Sequence, residues 1–285
     1  MATRYEHGLH LVSVDGVEIR LASARSADLP RVIEFSPDGS LLAAGFNSGR
    51  IVTWRVETGD LVAINEEKRE GIGSLAFTSD GKTIYGGCFR GEVWRFSLDL
   101  RGEMIFNTGE DEMQGSLVAL RDQERELIVV GGYWKTVARA IHTGDKRLVR
   151  TFHRGERGIQ FLHLEADLSA DGRFLITCKS READIWDATS ATYLRTISDK
   201  DHGAGMDCAT FSPDTQRVLI VGFSGIQLWD HVGGKKIWDL EYQLLPDVSA
   251  FRAKPRFTTD GRRFAVVRPS SNGQSNEIAI FEFID

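Results

Sequence analysis

Six short stretches of this sequence collect its cations and aromatic rings: GFNSGR, GCFRGE, GYWKTV, CKSREA, GFSGIQ and VRPSSN. Five of the six carry a cation, at Arg50, Arg90, Lys135, Lys179 with Arg181, and Arg268. Four carry a ring, at Phe46, Phe89, Tyr133 with Trp134, and Phe223. Arginine beside an aromatic ring is typical of the energetic centres of protein interfaces, and a guanidinium can grip a carboxylate or phosphate through two parallel hydrogen bonds. The chemistry implied is recognition of a protein partner, in particular an acidic or phosphorylated peptide. The candidate contacts are Arg50, Phe89, Arg90, Tyr133, Trp134, Lys135, Lys179, Arg181 and Arg268. The competing assignment turns the rings inward as filler and leaves the cations to solvate loops. Trp134 is the ring most expected outside, since its turn has neither Gly nor Asp to explain an inward role. Replacing Arg50, Arg90 and Arg181 together with Glu is expected to abolish partner capture and leave melting nearly unchanged.

Other chemistries lack their apparatus. GFSGI at Gly222 to Ile226 is not the GxSxG of a nucleophile elbow. The seven histidines are scattered, and only His7 and His10 lie close together. On a strand, a spacing of three sends their rings to opposite faces. The acidic loops GEDEMQG and SDKDHG lack the alternating oxygen ligands of a calcium loop. There is no GxxxxGK[ST] phosphate loop. Cys88, Cys178 and Cys208 fit neither a disulfide framework nor a CxxC metal site, and are expected to be reduced thiols. No catalytic residue, metal ligand or cofactor is expected.

A net charge of −6 and a pI near 5.7 oppose wholesale nucleic-acid binding, which needs a surplus of Lys and Arg. Contact through the basic turns alone is the narrower alternative. No window approaches the roughly 18 apolar residues of a membrane span, and the N-terminus lacks a signal-peptide pattern. A soluble, cytoplasmic protein, alone or as a subunit of a larger assembly, is expected.

What must position the six stretches is a repeated unit. A turn signal recurs as SPDG at Ser36 to Gly39, TSDG at Thr78 to Gly81, SADG at Ser169 to Gly172, SPDT at Ser212 to Thr215 and TTDG at Thr258 to Gly261, with a degenerate RDQE at Arg121 to Glu124. From Asp38, the intervals to Asp80, Asp122, Asp171, Asp214 and Asp260 are 42, 42, 49, 43 and 46 residues. That period suits a four-stranded blade. A second mark follows in most units, an apolar strand ending in Trp or Phe: Trp54, Trp94 with Phe96, Trp186, Trp229 and Phe281. Since repeats are related by rotation, the six stretches, each joining second to third strand, are expected at one end of the ring. No dozen residues hold a helical period between caps, so no long helix is expected.

FSPDG turns, Trp-Asp pairs and a repeat of about 44 residues together resemble the WD-repeat β-propeller family. The resemblance covers nearly the whole chain and implies a non-enzymatic scaffold that binds partners. Lactonase-like propellers share the SPDG turn, which makes a propeller enzyme the alternative. The family's buried Asp-His-Ser-Trp tetrad is missing: Ser48, Arg90, Trp134 and Ser180 stand at its Asp positions, and the Gly-His dipeptide is absent. Apolar packing and strand pairing must then hold the blades, with Trp54, Trp186 and Trp229 between them.

The expected fold class is all-β: a closed β-propeller of four-stranded antiparallel blades in a single domain, residues 1–285. The C-terminal repeat supplies three strands, while Leu9 to Val14 and Val17 to Leu21 align with the third and fourth strands of a unit. The N-terminal strands are therefore expected to complete the last blade. The stretch running from Asp260 through both termini to Asp38 exceeds one repeat and falls short of two. Six blades fit best, with seven as the alternative.

Overall fold

A computed structural model describes residues 10–12, 18–21, 30–67, 70–107, 117–121, 125–131, 137–152, 164–179, 182–198, 206–222, 225–241, 254–269 and 276–283. Every regular element among them is a strand. The strands gather into two compact units, Met1–Tyr133 with Ala138–Arg150, and Trp134–Val137 with Thr151–Asp285.

Five of the turn signals fold in one way, shown best by FSPDG, while most of the sixth, RDQE, lies outside the described residues. The Ser36 hydroxyl donates to Asp38 Oδ1 at 2.6 Å and accepts the Leu41 amide at 2.9 Å. Asp38 Oδ1 accepts the Ser40 amide at 3.0 Å, and Gly39 sits at φ +71° with its amide on the Ser36 carbonyl. Short side chains thereby satisfy backbone groups that the reversal takes out of the ladder. Thr78 with Asp80, Ser169 with Asp171, Ser212 with Asp214 and Thr258 with Asp260 repeat the hydroxyl-to-carboxylate bond. In the Ser212 turn, Thr215 takes the left-handed conformation, φ +61°, that Gly holds elsewhere.

On either side of each turn the strands pair in chain order. The first sheet is Pro30–Phe35, Leu41–Phe46, Ile51–Arg55 and Leu61–Asn65, and the second is Ile72–Phe77, Thr83–Cys88, Glu92–Ser97 and Gly102–Asn107. The third is Leu117–Arg121, Glu126–Gly131, Val137–His142 and Leu148–Phe152. Leu164–Leu168, Phe174–Lys179, Glu182–Asp187 and Thr192–Ser198 form the fourth; Met206–Phe211, Arg217–Gly222, Gly225–Asp230 and Lys235–Glu241 the fifth. The sixth has three strands, Arg256–Phe257, Arg263–Pro269 and Asn276–Glu282, as the C-terminal repeat led one to expect. The N-terminal strands, His10–Val12 and Glu18–Arg20, pair with each other. A bond from either to Asn276–Glu282 is not among the pairings of the described residues.

Central strands are apolar throughout because they are covered on both faces. Leu41–Phe46 is buried from its second residue onward, whereas Leu61–Asn65 at the outer edge exposes Leu61, Val62 and Ile64. Within the first unit, Ala43 and Ile51 cluster with Ile72, Ile84, Cys88 and Phe96 of the next sheet. A Cβ on Gly45 would lie 2.4 Å from Ile72 Cγ2, so only glycine lets these sheets approach so closely. Tyr85, Val93 and Ile105 cluster in turn with Leu127, Val129 and Ile141. In the second unit, Ile176, Ile185 and Ile197 meet Phe211, Ile220 and Trp229, while Leu219 and Leu228 meet Phe264 and Val266. Each large apolar side chain so buried contributes about 1.5–3 kcal/mol.

The tryptophans mark the strands as expected. Trp54, Trp186 and Trp229 are all buried, and a bulge falls at each of them in the pairing of third with fourth strand. A tetrad-like bond is kept from Trp186 Nε1 to Thr177 Oγ1 at 3.1 Å. Trp94 and Trp229 instead donate to Glu92 and Gln227, two residues back on their own strands.

Candidate functional site

Two of the six stretches, both in the first unit, are described nearly whole. They share one backbone. Gly49 at φ +80° donates to the Phe46 carbonyl at 3.1 Å, and Gly91 at φ +79° donates to the Cys88 carbonyl at 3.1 Å.

Their side chains differ. Arg50 is only 5% exposed, and its guanidinium lies 4.2 Å from the centroid of the buried Phe46 ring. A guanidinium is weakly hydrated and stacks on aromatic faces, so it tolerates this placement where an ammonium would resist it. The outward position expected of Arg50 is thereby corrected: the residue packs beneath the turn.

In the second turn Phe89 is half-buried and Arg90 is exposed. The Phe89 amide donates to the Gly71 carbonyl at 3.1 Å, and its ring lies on the Gly71 backbone. A Cβ at Gly71 would stand 2.6 Å from that ring and 2.9 Å from the Asn47 carbonyl oxygen. The exposed Arg31 covers the other side, its guanidinium 5.0 Å from the ring centroid. Arg90, with a side chain 69% exposed, holds Glu70 at 3.3 Å. Exposed pairs of this kind hold weakly and exchange readily for a competing carboxylate. The outcome is a ring under the Arg31 guanidinium, followed in sequence by the exposed Arg90 and set on backbone from adjacent sheets.

Sequence reasoning passed over Arg31. A topological signal was there: Pro30 pairs with Phe46, so the start of the first strand lies at the same end of the sheet as the second-to-third turn. Of the remaining candidates, Lys179 ends its strand opposite Glu182, and Arg268 sits on its strand opposite Glu277. Tyr133, Trp134, Lys135 and Arg181, with Phe223, lie outside the described residues.

No family model matches the chain. It is similar to Echinoderm microtubule-associated protein-like 2 of Homo sapiens, 32% identical over 114 residues, or 40% of this chain and 17% of that protein. WD repeat-containing protein 90 of Homo sapiens is 22% identical over 220 residues, 72% of this chain and 12% of its own length. The Xenopus tropicalis protein of that name is 22% identical over 256 residues, 71% and 14% respectively. The chain thus spans under a fifth of the length of these relatives. Among solved structures, a chain in the crystal structure of the mitotic checkpoint complex superposes with a TM-score of 0.76 at 15% identity, over 98% of this chain and 82% of that one.

The chain has a β-propeller fold and is similar to WD-repeat proteins. Its six sheets are the propeller's six blades, five of them four-stranded among the described residues. The propeller keeps the family's turns and Trp strands while replacing most of the buried tetrad with apolar packing. Among the described residues no helix is long and apolar enough to cross a membrane.

Proposed function

We propose that this propeller is a non-enzymatic protein-interaction module, acting in the cytoplasm as a single domain over 1–285 or as a subunit of a larger assembly. It captures an acidic or phosphorylated segment of a partner protein on the turns between second and third strands. The observation that carries this reading is the half-buried Phe89 ring covered by the exposed Arg31 guanidinium, with the exposed Arg90 next to it in sequence. Such a ring offers apolar contact area with little entropy to lose, and the flanking cations suit carboxylate or phosphate. Likeness to WD repeat-containing chains supports a scaffold over a catalyst. Arg90, Tyr133, Trp134, Lys135, Lys179, Arg181 and Arg268 extend the proposed contact set. Arg50 serves it from below.

The test is an array of Glu-rich peptides and their phosphoserine counterparts, probed with the wild-type chain and with an Arg31→Glu/Arg90→Glu variant. Retention by wild type, loss in the variant and an unchanged melting curve are expected. Equal retention by both proteins, or none by wild type, overturns the reading.

A further inference from the structure

The second unit contains a half-hidden ionic junction that the proposed binding site does not use. Asp167 lies on the first strand of the fourth sheet, and its side chain is 16% exposed. Its Oδ2 accepts the Thr210 hydroxyl at 2.9 Å and the Phe211 amide at 2.9 Å, both from the first strand of the fifth sheet. Its Oδ1 accepts from Lys254 Nζ at 2.5 Å, and that ammonium also donates to the Ala166 carbonyl at 3.1 Å. Lys254, with a side chain 17% exposed, stands two residues before the first strand of the sixth sheet. One carboxylate therefore ties together the leading strands of three sheets.

The sixth sheet is where such a tie would matter most. Its leading strand is only Arg256–Phe257, paired with Ala265 and Phe264, whereas the leading strands of the other five sheets run to five or six residues. A two-residue ladder supplies little cooperativity of its own, and weakly laddered segments open first. Among the described residues the sheet has three strands where the fifth has four. The fifth sheet, by contrast, is held by full ladders on both of its central strands.

We propose that Asp167 and Lys254 form an ionic latch that fixes the sixth sheet, so that breaking the pair releases residues 254–269 as a local opening unit while the fourth and fifth sheets stay folded. A charge in so sheltered a place is held by its partner, and removing one member strands the other.

Amide hydrogen exchange on the full chain tests this. Lys254→Met keeps the aliphatic stem and loses the charge; Asp167→Asn keeps the size and the contact with Thr210; Lys254→Arg keeps the charge. Exchange at 256–257 and 263–269 should rise by about tenfold or more in the first two variants. It should stay near wild type in Lys254→Arg, with protection at 175–178 and 218–221 unchanged in all three. The double variant Lys254→Met/Asp167→Asn should exchange no faster than the worse single variant, because the two changes remove one interaction. Unchanged exchange at 263–269, equal acceleration across the unit, or effects that simply add would each overturn the latch. Should Lys254→Met fail to fold, the comparison of Asp167→Asn with Lys254→Arg decides alone.

Discussion

The turn after Leu41–Phe46 and the turn after Thr83–Cys88 have the same length, hydrogen bonding and glycine conformation, yet one hides its arginine and the other displays it. Position within the turn accounts for this. In the first, the ring is the last strand residue, Phe46, and the cation follows the glycine, so both face inward. In the second, Cys88 takes the place of Phe46, and the Phe89-Arg90 pair falls on the turn itself, with Glu92 where the first has Arg50. The last strand residue and the residue after the glycine pack beneath the turn, whereas the two positions between strand and glycine stand on it and are less buried. Composition names the residues that can bind; offset from the turn glycine decides which of them are free to.

The contrast can be broken hardest at the buried member. Arg50→Glu places a carboxylate against the Phe46 ring in a site 5% exposed, and should cost about 3–5 kcal/mol in thermal melting. An unchanged melt would mean that Arg50 sits outside after all. Gly71→Ala comes next, at about 1–3 kcal/mol, because the new methyl must displace the Phe89 ring or the Asn47 carbonyl. That variant should also weaken peptide retention, linking the ring's seat to binding. Arg90→Glu should change stability by no more than about 0.5 kcal/mol while retention falls, the reverse of Arg50→Glu. Scanning calorimetry beside the peptide array separates the two signatures.

The smallest effect concerns the opposite ends of these sheets, where the two regions are alike. The Ser36 hydroxyl, aided by the Ser40 amide, holds the Asp38 carboxyl down at about 2, and the Thr78 hydroxyl lowers that of Asp80. A depressed carboxyl contributes stability that is fully present above its unfolded value near 3.8 and is lost as pH falls through its folded value. Melting temperature should therefore decline as pH falls from about 4 towards about 2. Asp38→Asn should flatten that decline, and a slope unaltered by the substitution would remove the turn carboxylates as its cause.

Much of the fold could be read from residues because its signals are local. Ser36, Asp38 and Gly39 build their turn from within five residues, and the tryptophan strands announce themselves by alternation and by the hairpins behind them. Turns and central strands consequently lie where the repeats placed them. The site was legible in its residue types and only partly in its geometry. Arg50 was misplaced because its direction depends on its offset from the turn glycine, and Arg31 was missed because it meets Phe89 from another sheet. The Asp167 junction was harder still, since Lys254 lies 87 residues away and neither residue belongs to a recurring motif.

The outer strand Leu61–Asn65 carries one more consequence. Its backbone edge, unpaired among the described residues, and its apolar side chains would suit pairing with the same strand of a second molecule. Glu57 and Asp60 precede it, and Glu66 and Glu67 follow, partly offset by Arg55, Lys68 and Arg69, so two such edges approach each other with a small net negative charge on each. At physiological ionic strength that repulsion reaches about 8 Å; at 1 M salt it shrinks to about 3 Å, less than the spacing between paired strands. Concentrated brine, more than crowding in dilute buffer, is the condition in which this molecule should begin to stick to itself.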